Sequence, residues 1–91
     1  MVPRPAVVLT PSAIGPAGLL IWTLMVTNLE RARWPGDIEI PDAEALGLLI
    51  PSKIRTTKIA AVQASKATKL GRLDEATWFA VRENVRAHLG F

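Results

Sequence analysis

The chain has 91 residues, 49% hydrophobic and 21% charged, which gives one small globular domain over residues 1–91 and excludes a disordered polypeptide. It has no cysteine, which excludes a disulfide framework and a thiolate metal site and fits a reducing compartment. The formal net charge is +3, but residues 1–51 carry three basic and five acidic side chains and residues 52–91 carry eight basic and three acidic ones; a basic half of this kind points to a polyanion or an acidic protein partner.

The first element is Ala6–Thr10, AVVLT, a short β-branched run bounded by prolines and read as a strand. Pro11–Gly18 is a loop by its proline and glycine content. Leu19–Thr27, LLIWTLMVT, is apolar at odd and even positions alike, as in a central strand covered on both faces. The apolar run Ala17–Val26 is far shorter than the roughly 20 residues that span a bilayer, and no small-residue cleavage pattern follows it. No membrane association is therefore expected. Asn28–Gly36 is polar and ends in a Pro-Gly turn signal. Asp37–Ile40, DIEI, alternates as an exposed strand does, which makes Asp37 and Glu39 solvated neighbours on one face.

Leu48–Val62 reads as a strand interrupted at Pro51. Its apolar parity changes between Ile54 and Ile59, which predicts a bulge near Thr56–Lys58. Lys69–Leu73, KLGRL, reads as a last strand. Asp74 is a good N-cap for a terminal helix, with Leu73 and Trp78 placed as a hydrophobic staple. Trp78, Val81, Val85 and Leu89 follow helical spacing, and Gly90 stops the helix. The fold class is mostly β with one C-terminal α-helix.

Few residues carry chemistry. His88 is the only histidine, and its place in the last helical turn is explained by charge–dipole stabilisation alone. No cluster has metal-ligand spacing, and no cofactor loop is present. What remains is Arg4, Thr27 and the basic stretch SKIRTTK. Pro5 drives Arg4 towards an extended backbone, and a preset arginine offers its planar fork to a phosphate with less entropy loss.

The ordered pieces RPAVVLTPSAIG, LMVTN, GLLIPSKIRTTKIAAV and LGRLDEATWFAVRENVRAHLG resemble the MazF/PemK family of toxin–antitoxin ribonucleases over essentially the whole chain. The resemblance implies an SH3-like small barrel of the CcdB/PemK type, a homodimer, a cytoplasmic location and no cofactor. It implies metal-independent, sequence-selective cleavage of single-stranded RNA, leaving a cyclic phosphate and a free hydroxyl. The family's catalytic arginine falls on Arg4 and its catalytic threonine on Thr27, with Asn28 in place of the common serine. Asn28, Lys53, Arg55, Thr57 and Lys58 would contact the RNA, with Lys53, Arg55 and Lys58 holding flanking phosphates. Thr57 stands where some members have the aspartate of an Arg-x-Asp pair, so no carboxylate base is carried over. An acidic antitoxin tail would cover the basic half. Trp34, in the loop after Thr27, is open to base stacking, core packing or turn anchoring.

The chain departs from the family pattern at its start. Only Met1-Val2-Pro3 precedes Arg4, where members carry a Gly-Asp-hydrophobic strand and a loop with Gly-x-Glu. The expectation is a truncated member with weakened or absent cleavage. Two alternatives stand beside the nuclease: a non-catalytic module that binds antitoxin or RNA, and a DNA gyrase poison of the CcdB type.

Overall fold

A computed structural model describes residues 4–90. The strands are β1 (Ala6–Val8), β2 (Leu20–Asn28), β3 (Asp37–Glu39) and β4 (Ser52–Gln63), and the helix α1 is Glu75–Leu89. The strands form one antiparallel sheet in the order β1-β2-β4-β3, curled as a half-barrel, with α1 against one face. This is the expected mostly-β architecture with a C-terminal helix. No described helix is long and apolar enough to cross a membrane, and the apolar run before Thr27 lies in β2.

Strand alternation sends one set of side chains to the helix side. Val7, Leu24, Val26 and Ile54 make that set, joined by Ile40 and Ala43, and Val81 of α1 closes over them. Leu24, Ile54 and Val81 are fully buried. Trp78 and Val85, on either side of Val81, pack against the same cluster. Leu89 departs from the expected core stripe: it is exposed and borders a groove with Leu24, Ile59 and Val85.

The bulge read from parity is present. Leu24 pairs with Ile59 and Met25 with Arg55, so Thr56–Lys58 have no partner on β2. Ile54 pairs with Val26 and Ile59 with Leu24, two positions on one face of β2. The break in alternation brings both isoleucines to the same side of the sheet.

The α1 termini follow their sequence signals. The Asp74 carboxylate accepts from the Thr77 N–H at 2.7 Å, and the Thr77 hydroxyl together with that N–H holds its pKa below the ordinary value. Gly90 takes a left-handed φ of 81°, and its N–H donates to the Arg86 and Ala87 carbonyls. Lys69–Leu73, by contrast, is not a strand. It pairs with no strand among the described residues, Leu70 is exposed, and Leu73 alone docks on the core just before the helix cap. Apolar periodicity marked that docking point but could not supply a neighbouring strand to pair with.

Candidate functional site

The face of the sheet away from α1 holds the polar positions of the central strands. β1 and β2 pair Ala6 with Met25, and the Pro5 carbonyl accepts from the Val26 N–H at 3.4 Å. The same register, carried two residues back from Ala6, sets Arg4 opposite Thr27 at a non-hydrogen-bonded position, where facing side chains are close. Thr27 in turn faces Lys53 of β4, which faces Glu39 of β3. Arg4, Thr27, Lys53 and Glu39 thus form one row across the sheet. The next row is Ala6, Met25, Arg55 and Asp37. Arg4 is exposed and Thr27 half-buried, and the Thr27 hydroxyl has no hydrogen-bond partner among the described residues.

Lys53 and Arg55 occupy these rows differently from the expected open phosphate contacts. Their side chains are 4% and 8% exposed, and both are engaged internally. Asp37 accepts from Arg55 Nε at 3.3 Å and from Arg55 Nη2 at 3.2 Å, and it lies 3.6 Å from Lys53 Nζ. The loop after Thr27 folds over the pair: Arg55 donates to the Ala32 carbonyl at 2.7 Å, and Lys53 donates to the Arg31 carbonyl. The expectation of a solvated Asp37 is also overturned, because its side chain is 1% exposed. Burial pushes its pKa up, but the Trp34 N–H, the Arg55 hydrogen bonds and charge, and Lys53 outweigh that and hold it below the ordinary 3.8. Glu39 is exposed, as read.

The loop is fixed at its far end by the segment Trp34-Pro35-Gly36-Asp37. The Asp37 N–H donates to the Trp34 carbonyl at 3.1 Å, and Gly36 has a φ of 93°, the arrangement that Pro-Gly sets in a type II turn. Asp37 also accepts from the Trp34 N–H at 2.9 Å. The Gly36 carbonyl accepts from Thr56 Oγ1 at 2.7 Å and from Asn84 Nδ2 at 3.1 Å. His88 Nε2 lies 3.0 Å from Thr56 Oγ1, within hydrogen-bond distance. His88 therefore links α1 to the turn, beyond the dipole role read from sequence. A Cβ at Gly36 would lie 2.9 Å from Thr56 Oγ1 in a backbone region that L-residues avoid. Gly36→Ala should cost about 1–3 kcal/mol, read as a lower urea midpoint with an unchanged slope.

The other expected contacts are dispersed. Asn28 caps the loop, its Oδ1 accepting from the Glu30 N–H at 2.9 Å. Thr57 borders the groove with Leu24, Val85 and His88, away from Thr27. Lys58 is exposed in the bulge. The register brings Thr27 and Lys53 together, and its continuation past Ala6 adds Arg4 to them. Asp37 was missed as a partner of Lys53 and Arg55; its signal was the DIE strand facing a KIR strand, visible only once the register is known.

A family model described as PemK-like, MazF-like toxin of type II toxin-antitoxin systems matches residues 2–89. The chain belongs to this toxin family. No curated protein matches it. The curled half-barrel with a C-terminal helix agrees with the PemK/MazF-type fold.

Proposed function

We propose that this PemK/MazF-like toxin is an endoribonuclease that cuts single-stranded RNA at the Arg4–Thr27 row and is restrained by an acidic antitoxin. What supports the reading is the β1–β2 register, which, continued two residues past Ala6, sets an exposed, proline-set arginine opposite a threonine hydroxyl on one sheet face. In the reaction the RNA 2′-oxygen bonds to the adjacent phosphorus and the bond to the 5′-oxygen breaks. The proton of the 2′-hydroxyl is released, and the leaving oxygen takes one up, giving a cyclic phosphate and a free hydroxyl. Charge grows on the non-bridging oxygens. Arg4 meets that charge with its fork of donors, and a guanidinium, which keeps its proton in proteins, acts as a stabiliser rather than a proton donor. Thr27 donates a hydrogen bond that fixes the phosphate.

A homodimer also fits this reading. Beyond the bulge, β4 pairs with β2 on one side only, and Trp22, Ile59 and Val62 are exposed there. An apolar ribbon with an open edge is suited to a second copy.

The test is cleavage of a long unstructured RNA by the purified chain with EDTA present, beside Thr27→Val. Discrete cuts are expected, with Thr27→Val slower by about ten- to a hundredfold, the worth of one hydrogen bond to a charged group. A folded chain that binds RNA or antitoxin without cutting would overturn the nuclease reading in favour of a non-catalytic module.

A further inference from the structure

We infer that Trp34, held over Arg55 in the row next to that of Thr27, is a stacking platform for an unpaired nucleobase; the inference rests on the ribonuclease reading above. Trp34 is 41% exposed, a large apolar surface to leave in water on a loop that is otherwise polar. One face of its ring is already covered: the Arg55 Cζ lies 4.1 Å from the ring centroid. A flat guanidinium behind the indole leaves the opposite face for a second planar group.

The ring is also held still. Both backbone polar groups of Trp34 are tied to Asp37, through the 2.9 Å and 3.1 Å hydrogen bonds, and Pro35 stiffens the turn that follows. Arg55 is fixed in turn by Asp37 and by the Ala32 carbonyl. Little freedom remains to be lost when a ligand stacks, which is the condition for a preorganised site.

The surroundings select the ligand. Arg55, which backs the ring, stands two positions along β4 from Lys53, the partner of Thr27, so the residue under the platform belongs to the row next to that of Thr27. Arg31 and Arg33 flank Trp34 in sequence, are exposed, and take part in no ion pair among the described residues. An aromatic face beside free arginines, next to a phosphate position, matches how single strands are held: bases stack on rings while cations follow the backbone. An acidic protein tail would use the arginines but has no need of the ring.

The experiment measures binding of the unaltered chain, Trp34→Phe and Trp34→Leu to a short 2′-O-methyl RNA, which cannot be cut, and to the same strand with its bases removed. The platform predicts that Trp34→Leu weakens binding to the intact strand about tenfold, the worth of one stacked base. Trp34→Phe should retain most of the affinity. The abasic strand should bind the unaltered chain about tenfold more weakly and should be indifferent to Trp34→Leu. If the unaltered chain binds intact and abasic strands equally, the platform is overturned while RNA binding stands. If Trp34→Leu weakens both strands alike, or weakens only the grip on an acidic antitoxin peptide, the ring's role is structural or belongs to a protein partner, and the inference fails. If the unaltered chain binds no RNA, the ribonuclease reading falls as well.

Discussion

Arg4→Ala should lower RNA cleavage by roughly 10²–10³-fold, the cost of removing one preorganised donor from developing negative charge. Arg4 is exposed and takes part in no ion pair among the described residues, so its loss leaves no buried partner stranded. The fold should be untouched, with the same urea midpoint and the same circular dichroism as the unaltered chain. Arg4→Lys keeps a charge but not the planar fork, and it should fall between the two. The measurement is the initial rate of cleavage in EDTA for the three proteins. Equal rates for Arg4→Ala and the unaltered chain would remove Arg4 from the site.

The second large effect concerns stability. Asp37→Ala should destabilise the chain by about 3–5 kcal/mol, because it leaves Lys53 and Arg55 buried without their counter-charge. Small domains have about 5–15 kcal/mol in total, so the variant should be largely unfolded on modest heating or in low urea. The same carboxylate sets an acid limit. Its folded pKa lies below the 3.8 of an unperturbed aspartate. Its contribution is therefore complete above the unfolded value and is lost as pH falls through the folded one. Urea midpoints taken from about pH 5 down to about pH 2 should decline for the unaltered chain and decline less steeply for Asp37→Asn. An Asp37→Ala protein as stable as the original at neutral pH would show that the cluster is relaxed or hydrated in solution.

The parts of this fold that repeat were legible in the sequence, and the parts made by one segment covering another were not. The β-branched AVV between prolines, the alternation of DIE, the apolar run of β2 and the helical spacing of Trp78, Val81 and Val85 are local signals, and each matched its element. The bulge was legible because Ile54 and Ile59 break that period. Asp37 was misread because alternation tells which face a residue takes, not what lies on that face. The loop from Leu29 to Gly36 has no period of its own, and its folding over Lys53 and Arg55 turns an outward face into an inner one. KLGRL failed in the opposite way: its local pattern suits a strand, but a strand exists only through its neighbour. For the site, the resemblance placed Arg4 and Thr27, and the register brought them opposite each other. It could not show that the cations beside them were already engaged.

That engagement leaves an imbalance. Lys53 and Arg55 share a single carboxylate, Asp37, so the cluster holds one positive charge more than it neutralises. The surplus is enclosed beside Thr27, which faces Lys53 across the sheet. A charge kept out of water is screened far less by dissolved ions than one on the surface, so it projects a steady electric field towards any phosphate laid on that row. If RNA is bound as proposed, the two cations would bias the potential at the phosphate from inside the protein without touching it, with a weaker dependence on ionic strength than surface charges show.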